Sequence, residues 1–159
     1  MVGVYPGSFD LITNGHFDVI RRSSKIFDTV YVAVMVNKYK KPLFSLEERI
    51  NQLELVTNEF DNIKIVSHEG LLVDFLKANN IKVIIRGVRS VSEFETEFQL
   101  ANGYKFLDED IETFLMSSSS KYQFLSSTMV KEVASFGGDL TGLVPEKIKN
   151  QIIQKFKSI

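Results

Sequence analysis

Gly7-Ser8-Phe9-Asp10 and Thr13-Asn14-Gly15-His16 bring two glycines, two hydroxyls, a carboxylate and an imidazole into ten positions near the start of the chain. Such residues suit the handling of a phosphorylated ligand. Gly7 directly follows an apolar run, where the lack of a side chain lets a ligand approach the backbone. Gly15 permits a tight entry into a first helix, with His16 in its opening turn. A helix N-terminus presents free N–H groups and a field that favours anions. The same field disfavours imidazolium, so His16 is expected as a neutral hydrogen-bond donor rather than a base. In isolation Asn14-Gly15 reads as a turn and His16 as a surface residue; beside Gly7 and Ser8 the phosphate reading is the stronger.

The elements that must position these residues alternate along the chain. Val2–Tyr5, Val30–Val36, Ile63–Val66 and Lys82–Ile85 read as buried strands, with Glu112–Met116 as a weaker fifth. Helical patterns lie between them at about 16–26, 45–59, 71–79 and 91–106, and two more follow the fifth strand. Ser45 followed by Glu48 is a capping box, and Pro145 marks the first turn of the last helix. Strand–helix alternation over one domain (residues 1–159) implies an α/β, Rossmann-like, doubly wound five-stranded parallel sheet with helices on both faces. Ligands of such sheets bind beyond the carboxyl ends of the strands. Those ends carry Gly7-Ser8, Asn37 to Lys41, Glu69-Gly70-Leu71, Arg86-Gly87-Val88-Arg89 and Ser117 to Ser120. Small, polar and basic groups thus gather at one edge. Ser117 to Ser120 is expected to be a flexible loop.

Composition narrows the class. The 159 residues are 44% hydrophobic and 25% charged, which suits a packed globular domain. Nineteen basic residues nearly balance twenty acidic ones, so no global field draws the chain to nucleic acid or membrane. Absent cysteines exclude disulfides and thiol chemistry, and no run is long enough to span a bilayer. No signal-peptide pattern opens the sequence, and a cytoplasmic protein is expected. His16 and His68 lack a third ligand at metal-binding spacing, and His68 reads as a surface residue.

Gly-Ser-Phe-Asp followed by Thr-Asn-Gly-His resembles the nucleotide-binding signature of the nucleotidyltransferase superfamily, whose second half is (T/H)xGH. Three further blocks resemble the bacterial phosphopantetheine adenylyltransferases: Lys40 to Arg49, Ile85 to Arg89 with Phe94-Glu95, and Phe124 to Glu132. The blocks keep the family's order over nearly the whole chain. One departure is Leu11, where the family usually has proline; it is expected to loosen the loop slightly.

The resemblance implies transfer of AMP from ATP to 4'-phosphopantetheine with Mg2+, giving dephospho-coenzyme A and pyrophosphate. It also implies a homohexamer, with coenzyme A as a feedback ligand. By resemblance His16, Lys40, Arg86 and Ser127 are catalytic, with Lys40 bridging the substrate phosphate and the α-phosphate. ATP would be held by Ser8, Phe9, His16, Gly87, Arg89, Glu97 and the run Tyr122, Gln123, Phe124, Leu125, Ser126, Ser127 and Thr128. Substrate would be held by Ser8, Lys40, Leu71, Leu72, Arg86 and Glu132. Several residues keep a second reading. Lys40 is also a plain solvated cation, and Arg86 also a partner for Glu93, Glu95 or Glu97. Ser126 and Ser127 also serve as helix caps, and Leu71 and Leu72 as core.

Another transferase of the superfamily, or a binding module without catalysis, is the alternative. Neither Gly-x-Gly-x-x-Gly nor the P-loop pattern follows the first strand, which disfavours dehydrogenases and P-loop enzymes.

Overall fold

The computed structural model describes residues 1–158. Five strands, β1 (Val2–Gly7), β2 (Thr29–Val36), β3 (Ile63–Glu69), β4 (Val83–Val88) and β5 (Glu112–Ser117), form one parallel sheet in the order β3-β2-β1-β4-β5. Six helices accompany them: α1 (Asn14–Ser23), α2 (Leu46–Thr57), α3 (Leu72–Ala78), α4 (Val91–Leu107), α5 (Ser127–Ser135) and α6 (Glu146–Lys157). The α/β reading of the sequence therefore holds, weak fifth strand included.

Period-two alternation divides the core between the faces. Val30, Val32 and Val34 of β2 join Tyr5, Ile85 and the core under α1, α2, α5 and α6. Val4, Ala33 and Ile84 join Leu72, Val73, Phe75 and Leu76 of α3 on the opposite face. Both faces are covered, which is why the central strands read as continuous apolar runs.

Local signals set the helix starts. Ser45 accepts from the Glu48 amide at 3.1 Å while the Glu48 carboxylate accepts from the Ser45 amide at 2.6 Å, closing the capping box. Thr13 and His16 form a second box at α1, which starts at Asn14, two residues before the expected position. Pro145 is the cap of α6 rather than its first helical residue.

Two expectations fail. Ser117 to Ser120 is tied down rather than free. The Ser118 amide donates to the Val88 carbonyl at 2.8 Å, Ser119 donates to the Asp18 carboxylate at 2.6 Å, and Arg22 donates to the Ser117 carbonyl at 2.7 Å. Leu11 does not loosen its loop either, being fully buried with its carbonyl accepting from the Ser127 hydroxyl at 2.7 Å.

At the middle of the sheet the crossovers reverse direction between β1 and β4. Their ladder is short, with Gly3 beside Val83 and Val4 beside Ile84, whereas β1 and β2 stay in register from Val2 to Gly7. Beyond Val4 the seam parts. There Arg86 crosses it, donating Nη1 to the Pro6 carbonyl at 3.2 Å.

Candidate active site

A cavity of about 330 Å³ opens where that seam parts, at the carboxyl ends of β1 and β4. The rule for open α/β sheets places ligands there. Three elements build its walls.

The β1–α1 turn supplies Phe9, and the first turn of α1 supplies His16. Phe9 is buried with φ of 46° and packs edge-on against both Tyr5 and His16. A Cβ on Gly7 would lie 3.0 Å from the Phe9 ring, so this glycine makes room for an aromatic neighbour as well as bordering the cavity. His16 Nδ1 accepts from the Thr13 amide at 3.1 Å. The ring proton therefore sits on Nε2. Burial, then the charges of Arg89 and Arg86, push the imidazole down to about 4. At neutral pH His16 is an uncharged donor, as the sequence implied.

The end of β4 supplies Arg86, Gly87 and Arg89. Arg86 meets the Glu97 carboxylate side-on, with Nε and Nη2 each 2.6 Å from an oxygen. Three of its five N–H donors are engaged by Glu97 and Pro6, and two remain for a ligand. Arg89 pairs with Glu93 and also donates to the Leu125 carbonyl. Glu97 thus holds Arg86 in place while bordering the cavity. The second reading of Arg86, an acidic partner from α4, is met together with its place in the cavity. Glu93, which the sequence reading offered only as a partner for Arg86, is a wall residue that belongs to Arg89, across the start of α4.

The start of α5 supplies Leu125, Ser126, Ser127 and Thr128. Ser126 accepts from the Met129 amide at 3.1 Å, so its hydroxyl is a cap. The Ser127 hydroxyl spends its single proton on the Leu11 carbonyl. What this turn offers an anion is the pair of opening N–H groups of Ser127 and Thr128, which no helical carbonyl can reach. Ser118 also borders the cavity, on the anchored loop.

Other expected residues lie elsewhere. Ser8 is exposed, its carbonyl accepting from Arg49 at 2.8 Å. Lys40 is exposed on the β2–α2 loop, and Glu132 is exposed on α5. Leu72 is core, as its bland reading had it, while Leu71 is exposed and caps α3. His68 is not a bare surface residue: its Nε2 meets the Leu71 carbonyl at 3.0 Å and its ring packs against Phe75. Tyr122 lines a smaller neighbouring cavity of about 240 Å³, and Gln123 and Phe124 are exposed beside it. Among the described residues no group of three His, Asp or Glu side chains could hold a metal, and no helix is long and apolar enough to cross a membrane.

Comparison with known proteins agrees with this geometry. Residues 4–133 match the cytidylyltransferase-like family. A phosphopantetheine adenylyltransferase of Clostridium novyi is 53% identical over 158 residues, covering 99% of this chain and 98% of the relative. One from Dictyoglomus thermophilum is 53% identical over 153 residues, covering 96% and 93%. The nicotinic acid mononucleotide adenylyltransferase of Plasmodium falciparum, solved with NaAD, superposes with a TM-score of 0.67 at 16% identity over 99% of this chain and 94% of that one, a likeness of fold. Signature, sheet order and full-length identity lead to one conclusion: the chain belongs to the cytidylyltransferase-like family, among its phosphopantetheine adenylyltransferases.

Proposed function

We propose that the chain transfers AMP from ATP to 4'-phosphopantetheine, yielding dephospho-coenzyme A and pyrophosphate. The observation that carries this reading is the neutral His16, its Nε2 proton free, set in one cavity with Arg86, Arg89 and the opening amides of α5. Such a site binds and orients an anion through aimed donors; it holds no nucleophile. An acceptor phosphate oxygen forms the new bond to the α-phosphorus, the bond from that phosphorus to the β-phosphate bridging oxygen breaks, and the electron pair leaves with pyrophosphate. Because the acceptor is already an anion, no side chain has to remove a proton. The protein's task is to hold two anions in line and to stabilise the charge that develops. His16 donates to the α-phosphate, and the spare donors of Arg86 with the α5 amides take the neighbouring oxygens. Lys40, solvated and free to move, closes on the acceptor phosphate as a mobile cation.

Magnesium fits as an ion carried by the nucleotide. Glu93 and Glu97 are each committed to an arginine, so the cavity walls offer it no spare carboxylate. The walls also carry two arginines against two glutamates, and so bring no net charge to a polyphosphate.

Self-association, which the implied homohexamer requires, is supported by α4. This helix of 17 residues buries only Glu97, while Val91, Phe94, Phe98, Phe106 and Leu107 are exposed. An apolar helix face of that size wants cover, and a second copy of the chain supplies it. Coenzyme A, which contains the acceptor's pantetheine arm, would compete at the same site, and the reaction belongs in the cytoplasm.

Pyrophosphate release measured with ATP and Mg2+, in parallel with 4'-phosphopantetheine, nicotinamide mononucleotide and glycerol 3-phosphate, tests the reading. Release with phosphopantetheine alone supports it. Release only with another acceptor moves the chain to a different transferase reaction, and none from folded, ATP-binding protein makes it a binding module.

A further inference from the structure

Asp10 does not line the cavity, yet donors from two distant parts of the chain converge on it. Oδ1 accepts from the Phe44 amide at 2.8 Å. Oδ2 accepts from the Leu43 amide at 3.0 Å and from Lys131 Nζ at 2.7 Å. Burial raises its proton affinity, but the Lys131 hydrogen bond and the two amides outweigh that and hold the carboxyl below its usual value. A second tie runs in the opposite direction. Arg49, buried on α2, donates Nη1 to the Ser8 carbonyl at 2.8 Å and Nε to the Ser45 carbonyl at 3.4 Å. The β1–α1 turn, the end of the β2–α2 loop and α5 are joined through these two charged groups.

Lys40 lies three residues before Leu43. Three residues of chain span at most about 11 Å, so the grip on Leu43 bounds the distance between Lys40 and the turn that leads to His16. We propose that Asp10 and Lys131 are positioning residues, whose ion pair locks the Leu43 and Phe44 amides to the β1–α1 turn and so fixes the base from which Lys40 reaches the ligand. Lys131 is then committed to Asp10 and is not a phosphate ligand, despite its charge and its place on α5. The role of Lys40 rests on the functional reading above; the clamp does not.

Asp10→Asn keeps the shape but turns one of the two acceptors into an amide facing Leu43 and Lys131. Lys131→Gln is milder, removing the cation and leaving both backbone bonds. Brief trypsin treatment of the full chain reads the clamp without ligand. Cleavage after Lys38 and Lys40 should accelerate about tenfold in Asp10→Asn and by about threefold in Lys131→Gln, with melting still cooperative. Kinetics reads the consequence. Asp10→Asn should raise KM for phosphopantetheine about tenfold and KM for ATP less than about twofold, and in a Lys40→Ala background its effect should shrink below about twofold, because it acts through Lys40. Unchanged cleavage in both folded variants overturns the proposal, as does an equal loss in both backgrounds. Lys131→Gln carries both measurements if Asp10→Asn does not fold. If wild-type protein transfers no AMP to phosphopantetheine, the functional reading fails while trypsin still decides the clamp.

Discussion

Arg86 and Glu97 meet side-on in the cavity wall, two nitrogens against two oxygens at 2.6 Å, and Glu97 is the one residue α4 buries. The pair fixes the orientation of the planar guanidinium, so its two remaining donors point in set directions.

Glu97→Ala should therefore damage both the fold and the site. It leaves a largely buried cation without a partner, a loss of about 3 kcal/mol at the lower end of what broken buried pairs show. Urea unfolding at neutral pH measures it. ATP affinity should fall in parallel, because the freed guanidinium no longer keeps its orientation.

His16→Ala should fold and lose about a hundredfold to a thousandfold in turnover, the usual effect of removing one aimed donor. A folded variant with unchanged turnover would remove His16 from the mechanism.

The same histidine predicts a pH effect on stability. Its folded-state value of about 4 lies below the usual 6.5, so between those values the unfolded chain binds the extra proton. Stability from this source is complete above about pH 6.5 and is lost as pH falls toward 4. Wild-type protein should lose more stability than His16→Ala between pH 7 and pH 5, as urea midpoints at the two pH values would show. Parallel losses would mean that the ring is not held neutral.

Ser126→Ala should cost about 1 kcal/mol, since its hydroxyl caps the Met129 amide, and Ser126→Gly only a few tenths. Comparing their melting temperatures separates a capping role from a ligand contact, which would make both variants equally poor in ATP binding.

Phe94→Glu and Phe98→Glu should leave the fold intact, since both rings are exposed and stack on each other with centroids 6.2 Å apart. Sedimentation should show each variant lighter than the wild type. Equal masses would clear α4 of any part in assembly.

The sequence made some of this architecture readable and hid the rest for identifiable reasons. The strands were legible because both faces are covered, and Ser45 with Glu48 was legible because a capping box spans three residues; the Thr13 and His16 box went unread because histidine is not the usual partner in that motif. The cavity's turn, arginines and α5 start followed from strand ends and the family blocks. Asp10 was visible as a motif residue, but its partner Lys131 lies 121 positions away, and no local pattern announces such a pair. Arg49 closed one of the family blocks, but nothing local tied it to the Ser8 carbonyl, 41 positions away. Ser117 to Ser120 looked loose because serine runs usually are; Asp18 and Arg22, on another element, hold it. The Arg86 to Glu97 pairing was among the options, though residue types alone could not choose the glutamate.

The short ladder between β1 and β4 has a consequence for how such enzymes diversify. Where the two strands separate, the main chain gives up hydrogen bonds, and Arg86 stitches the gap by reaching Pro6. One side chain is therefore both mortar for the sheet and a wall of the ligand chamber. A lineage drifting toward a new acceptor can rewrite the exposed loops at will. Replacing Arg86 would require a new way of holding the two halves of the sheet together.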